Sequence, residues 1–117
     1  MRTIISTIIP AGTGAGSVYI PVPANMTVLG FDATPSAVTG STSTVSVLSA
    51  STTMGTAAIL TDTAAGAIIN GVMNATLATR KTVITRAVPL KVAVDARTNS
   101  TTIYVSVYLD QHALQKD

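Results

Sequence analysis

Several residue types are rare or missing in this chain of 117 residues. It has no cysteine, no tryptophan and no glutamate, and only 3% of its residues are aromatic. Without cysteine there is no disulfide framework, no thiol catalysis and no zinc site with cysteine ligands. His112 is the only histidine, and no glutamate or cysteine is present to share a metal ion with it. We therefore expect no metal site, no cofactor and no enzymatic activity.

Charge is also scarce. Charged residues make up 10% of the chain, against about 25% in ordinary soluble domains. The thirty serine and threonine residues supply polarity without charge, and the mean hydropathy is still +0.50. A surface with so few charges is poorly protected against association. The composition therefore predicts that other protein chains cover part of the surface, as in an obligate or high-order assembly.

The few cations do not form a nucleic-acid site. The net charge is only +2, and Arg80, Lys81, Arg86 and Lys91 fall within twelve residues without an aromatic side chain among them. Proteins that bind single strands interleave their cations with aromatic residues on which bases stack. We expect no nucleic-acid partner, and we interpret Arg80, Lys81 and Arg86 as contacts to an acidic neighbouring protein.

No stretch of the sequence has the pattern of a membrane span or of a secretory leader. The apolar residues at the beginning are interrupted by Ser6 and Thr7 and end at Pro10. They therefore lack the core of about seven to fifteen apolar residues that such leaders use. No other apolar run approaches the roughly 20 residues of a spanning helix. We expect a soluble product made in the cytoplasm, with no membrane partner.

Valine, isoleucine and threonine dominate the sequence, and turn residues recur about every ten positions. This spacing is typical of an all-β sandwich or barrel. Residues 101–109 show the strand pattern most clearly, because apolar residues alternate there with threonine, tyrosine and serine. We predict an all-β fold with strands at residues 3–10, 17–23, 26–34, 43–50, 56–61, 79–85, 89–96 and 101–109.

The same alternation predicts which side chains form the core. In each of these strands the residues at every second position are apolar and those between them are largely polar. The apolar residues should therefore face inward. The predicted core residues are Ile103, Val105, Val107, Leu29, Phe31, Val92 and Val94.

Two of the three tyrosines lie on the opposite face of the last strand. Tyrosine is enriched at interfaces because its ring buries a large apolar area while its hydroxyl still finds a hydrogen bond. We interpret Tyr104 and Tyr108, together with Tyr19, as contacts to another protein subunit. The alternative is that this face packs against the chain's own loops or against the opposite sheet.

The beginning of the chain has its own pattern. Isoleucines occur in two pairs, at Ile4, Ile5, Ile8 and Ile9. Both faces of an extended segment are then apolar, and the glycines of "AGTGAG" follow as a flexible turn, since no helix or lysine completes a phosphate loop. We predict that residues 1–16 form an extended arm and tether that a partner or another copy orders. Residues 17–117 should form a single β-sandwich domain with a short polar C-terminal tail.

The order of these segments is similar to that of a known family. From "VPANMTVLGFDATPSAVTGSTSTVSVLSASTTMGTAAI" through "AGAIINGVMNATLATRKTVITRAVPLKVAVDARTNSTTIYVSVYLD", the chain resembles the decoration or cement proteins on the heads of tailed phages. The resemblance covers roughly residues 18–110. It implies a two-sheet, jelly-roll-like β-sandwich of about eight strands, usually a homotrimer, with the major capsid protein as its partner on the exterior of the virion.

We therefore expect a structural protein that binds and stabilises an assembled capsid shell. One alternative is a tail-fibre or adhesin-type module that recognises a glycan on the host surface. Its tyrosines and aspartates would converge in a concave, exposed site. Another alternative is an enzyme such as a hydrolase subunit, for which the sequence contains no catalytic motif.

Overall fold

The computed structural model describes residues 2–22, 26–49, 52–73, 83–84 and 89–111. These residues form strands joined by turns and loops, and the described part of the chain contains no helix that could span a membrane. The strands are β1 (Arg2–Ile9), β2 (Gly16–Ile20), β3 (Met26–Pro35), β4 (Ser43–Ser49), β5 (Thr52–Ile59), β6 (Ile69–Asn70), β7 (Val72–Met73), β8 (Val83–Ile84), β9 (Leu90–Val94) and β10 (Ile103–Gln111).

The strands form two antiparallel sheets. Sheet A has the order β1, β10, β3, β6, and β8 also pairs with β3. Sheet B has the order β2, β9, β4, β5, β7. The predicted all-β sandwich is confirmed. The short strands β6 and β7 are additional to the eight that the sequence predicts, whereas β8 lies within the predicted strand at residues 79–85.

The topology is that of a jelly roll. Taken from the two ends of the chain inward, β1 pairs with β10, β2 with β9, β3 with β6, and β4 with β5. These four pairs lie alternately in sheet A and sheet B, as if one long antiparallel ribbon had been wrapped into a sandwich. This wrapping gives the arrangement of two Greek keys in two packed sheets.

The inner faces of the two sheets form the core. Large side chains that are almost fully buried there include Phe31, Ile9, Met26, Ile59, Leu90, Ile103 and Leu109. The predicted core residues Ile103, Val105, Val107, Phe31, Val92 and Val94 are all buried as expected. Each such side chain contributes about 1.5–3 kcal/mol relative to an exposed one.

The prediction that Leu29 lies in the core is wrong, because a β-bulge interrupts β3. Tyr108 pairs with Gly30 whereas the next residue of β10, Leu109, pairs with Val28, so Leu29 is the extra residue. An extra residue shifts the alternation by one position. Val28 and Phe31 are therefore both buried, and Leu29 is 44% exposed.

The prediction of a separate N-terminal arm also has to be corrected. All eight residues of β1 pair with β10 of the same chain, at one edge of sheet A. Ile9 is fully buried and Ile5 packs against the core, while Ile4 and Ile8 point outward. Both faces of the segment are apolar as predicted, but one of them covers the chain's own core.

The glycine-rich segment that follows β1 is not a free tether. The buried Arg97 side chain donates hydrogen bonds to the carbonyl oxygens of Pro10, Gly14 and Thr101, at 2.7, 3.0 and 2.7 Å. A Cβ at Gly16 would lie 2.7 Å from Nη2 of Arg97 and 3.2 Å from Cγ2 of Ile9, so a larger residue at this position would displace the guanidinium group. Arg97 thus fastens the connection between the edge strands of the two sheets.

Candidate interaction surface

The outer face of sheet A carries the side chains of β1, β10 and β3 that point away from the core. Paired residues cross the three strands in rows: Ile4, Tyr108 and Gly30; Ser6, Ser106 and Asp32; Ile8, Tyr104 and Thr34. The period of two in β1 and β10 brings these residues to one side, and the bulge in β3 keeps them aligned with Gly30.

This outer face is largely apolar. Ile4 is 62% exposed, Ile8 49% and Tyr104 48%, and Leu29 is exposed beside them because of the bulge. Asp32 is the one ionisable carboxyl group in the three rows. Single exposed apolar residues are ordinary, but a group of them that shares one sheet face is typical of an interaction site.

A shallow groove lies at one end of the outer face of sheet A. Its volume is about 440 Å³, and it is lined by Thr3, Ile4, Leu29, Gly30, Tyr108 and Leu109. Gly30 has no side chain to fill the space between Leu29 and Tyr108. The bulge therefore both exposes an apolar side chain and opens a recess next to it.

Tyr108 is held in place by Asp32. Its hydroxyl donates a hydrogen bond to Oδ2 of the carboxylate. This hydrogen bond, followed by desolvation and by the negative charge of Asp32, raises the pKa of Tyr108 above its ordinary value of 10.0. The tyrosine therefore stays neutral, and its ring has a fixed position at the side of the groove.

The centre of the outer face is small and polar. Oγ of Ser6 and Oγ of Ser106 lie 3.2 Å apart, which joins β1 to β10 by a side-chain hydrogen bond. Because neither side chain is large, the apolar residues on both sides of this row stand higher than the row itself. A partner surface can approach the sheet closely here.

The structure brings only some of the predicted interface residues together. Tyr104 and Tyr108 share the outer face of sheet A with Ile4 and Ile8. Ile9 is buried and Ile5 is half-buried against the core, so these two are not available to a partner as the sequence suggested. The predicted contacts Arg80, Lys81 and Arg86 lie outside the described residues.

Tyr19 lies on the other sheet. It belongs to β2 in sheet B and is 61% exposed. Nζ of Lys91 is 5.7 Å from the centroid of its ring, within the range of a cation–π interaction. Tyr19 therefore does not share the outer face of sheet A with Tyr104 and Tyr108, and its contact with another subunit stays a prediction.

Sequence reasoning missed Leu29 and Asp32 as members of the surface. Asp32 looks like a strand-end residue, and its contact with Tyr108 spans 76 positions of sequence. For Leu29 a signal exists, since a glycine inside a strand pattern often marks a bulge. Gly30 is that glycine.

The described residues contain no group of three or more histidine, cysteine, aspartate or glutamate side chains that could hold a metal ion. Comparison with protein-family models, with curated proteins and with solved structures finds no match to this chain. Function therefore has to be inferred from the chemistry of the outer face of sheet A.

Proposed function

We propose that this chain is a structural protein that binds a larger protein assembly through the outer face of sheet A. The exposed group of Ile4, Ile8, Leu29 and Tyr104 is the observation that carries the proposal. It occurs in a chain of which only 10% is charged, so few ionic groups oppose association. Burying these side chains against a partner removes apolar area from water, which is the main favourable term in association.

The assembly we propose is the shell of a virus, with the major capsid protein as the partner and the capsid exterior as the location. The resemblance to cement proteins supports this choice, and the jelly-roll topology is compatible with it. The homotrimer that the same resemblance implies stays a prediction.

Stabilisation of the shell would follow from mass action. A protein that binds only the assembled state stabilises each site by about 2.7 kcal/mol when its free concentration is 100 times the Kd. Many copies on one particle multiply this contribution. No catalytic step is needed, and the strength of the effect depends only on affinity and on the number of sites.

The proposal can be tested with purified capsid shells that lack this chain. Added wild-type protein should cosediment with the shells and raise the temperature at which they disassemble. Ile8→Asp, on the outer face of sheet A, should lose both effects because it buries a charge in the contact. Ser46→Asp, on the outer face of sheet B, is the matched control and should behave like wild type. Failure of the wild-type protein to bind shells would overturn the capsid role.

Recognition of a host glycan is the second candidate, and the groove beside Tyr108 favours it. An aromatic ring next to a carboxylate is chemistry suited to a sugar, since the ring stacks on the apolar face and the carboxylate accepts hydroxyl hydrogens. Binding of the wild-type chain to glycans displayed on a surface, reduced by Asp32→Asn and by Tyr108→Phe, would support this candidate against the capsid role.

A further inference from the structure

Strand β1 leaves a long edge of sheet A open. In the described part of the chain it pairs only with β10, and its other side has no neighbouring strand. An edge strand presents unpaired backbone N–H and C=O groups to which another strand can add. β1 extends over Arg2–Ile9, and in an antiparallel edge strand every second residue directs both its N–H and its C=O away from the paired neighbour.

The other described edges are shorter. β2, at the corresponding edge of sheet B, has five residues, and β6, β7 and β8 have two each. Proteins commonly protect edges by keeping them short or by placing charges, proline or bulges on them. From residue 3 to residue 9, β1 has no charge, no proline and no shift of register against β10. Among the edge strands of the described residues, β1 is the longest, and from residue 3 to residue 9 it has none of these protective features.

We propose that β1 pairs with β1 of a second copy of this chain, antiparallel and around a two-fold axis at Ser6. In this register Ile4 lies opposite Ile8 of the second copy, and Ser6 lies opposite its equivalent. Outward side chains remain outward, because paired residues in an antiparallel ladder share a face. The pairing therefore adds two cross-strand contacts between aliphatic side chains that are exposed in the single chain.

The sequence of β1 suits a second copy better than an unrelated strand. In a two-fold contact residue i meets residue j while j meets i, so the side chains at positions equally far from the axis must suit each other. Aliphatic residues at Ile4 and Ile8 are equally far from Ser6, and the segment between them carries no charge. The two Arg2 positions would be about 27 Å apart, at roughly 3.4 Å a residue, which exceeds the Debye length of about 8 Å at physiological salt.

The pairing joins the outer faces of the two copies. Sheet A continues across the axis, so the exposed rows with Tyr104 and Tyr108 meet those of the second copy. A strand contact about 27 Å long buries less than the roughly 1,200 Å² of a stable complex. The dimer should therefore be weak in free solution and should form readily where copies are concentrated side by side.

The axis at Ser6 makes a sharp test possible. Ser6→Lys places two lysines opposite each other in the dimer, and Ser6→Asp places two aspartates there, so each variant alone should dimerise less than wild type. An equimolar mixture puts lysine opposite aspartate. Sedimentation equilibrium over a wide range of concentrations should show association of the mixture about three- to tenfold tighter than that of either variant alone.

Ser17 supplies the control. It is an exposed serine on β2, the edge strand of sheet B, and the pair Ser17→Lys and Ser17→Asp should associate like wild type, alone or mixed. Circular dichroism should show that all variants keep their strand content. A wild-type chain that stays monomeric at millimolar concentration would overturn the proposal. A trimeric mass, which the resemblance to cement proteins implies in place of this dimer, would also contradict it, and so would a mixture of Ser6 variants that associates no more tightly than its components.

Discussion

The outer faces of the two sheets differ in chemistry, although their inner faces contribute alike to one core. On the outer face of sheet A, aliphatic and aromatic side chains surround a small polar row. On the outer face of sheet B, a paired row consists of Ser17, Ala93, Ser46, Thr56 and Val72, of which only Val72 is a large apolar residue, 72% exposed on the edge strand β7. Tyr19 stands beside this row and is accompanied by Lys91.

The two outer faces therefore differ in how their exposed apolar residues are grouped. On sheet B, Tyr19 and Val72 lie on the opposite edge strands β2 and β7, and the strands between them separate the two side chains. The outer face of sheet A has apolar exposed residues at the edge strand and at the bulge, where a partner can reach them. The comparison therefore predicts that substitutions on sheet A change association, while matched substitutions on sheet B do not.

The largest expected effect concerns the hydrogen bonds by which Arg97 holds the segment that connects β1 with β2. Arg97→Met should lower the free energy of unfolding by about 3 kcal/mol, because three carbonyl oxygens lose a charged donor. Lys91→Met removes a half-buried cation of sheet B together with its contact to the Tyr19 ring, and should cost less than about 1 kcal/mol. Urea denaturation of both variants measures the contrast, and equal losses would show that Arg97 is no more important than a surface cation.

A smaller effect should follow the protonation of Tyr108. Its pKa is raised in the folded chain, mainly by the hydrogen bond to Asp32, so the neutral form is favoured on folding. The resulting stability is complete below the unfolded pKa of about 10 and is lost as pH rises through the raised folded pKa. Between about pH 8 and 12 the melting temperature should therefore fall more steeply with pH in wild type than in Tyr108→Phe. If the melting temperatures of the two proteins fell equally with pH, the hydrogen bond to Asp32 would have no effect on the titration of Tyr108.

The sequence predicts those parts of the fold that depend on local periodicity. Alternation in β10 places Ile103, Val105 and Val107 inward and the two tyrosines outward, since the period of two is set by strand geometry itself. The same rule fails at Leu29, where one extra residue shifts the alternation. A sequence pattern identifies a strand more readily than it locates a β-bulge within that strand.

Contacts between distant parts of the chain are harder to predict. β1 has the composition of an arm, and only its pairing with β10, about 100 positions away, makes it a strand of the sandwich. The association of Asp32 with Tyr108 and the burial of Arg97 depend on the same long-range wrapping. Residue type alone does not show that Tyr19 lies on the opposite sheet from Tyr104 and Tyr108, because that depends on the strand order.

The central claim is that the outer face of sheet A, rather than that of sheet B, binds a partner. The most direct measurement compares the affinity of Tyr104→Ala and Tyr19→Ala for capsid shells, since both tyrosines are exposed and only Tyr104 lies on sheet A. We predict that Tyr104→Ala weakens binding by about 2 kcal/mol, roughly 30-fold, and that Tyr19→Ala changes it by well under 1 kcal/mol. Equal affinities for the two variants, or a larger loss for Tyr19→Ala, would contradict the account.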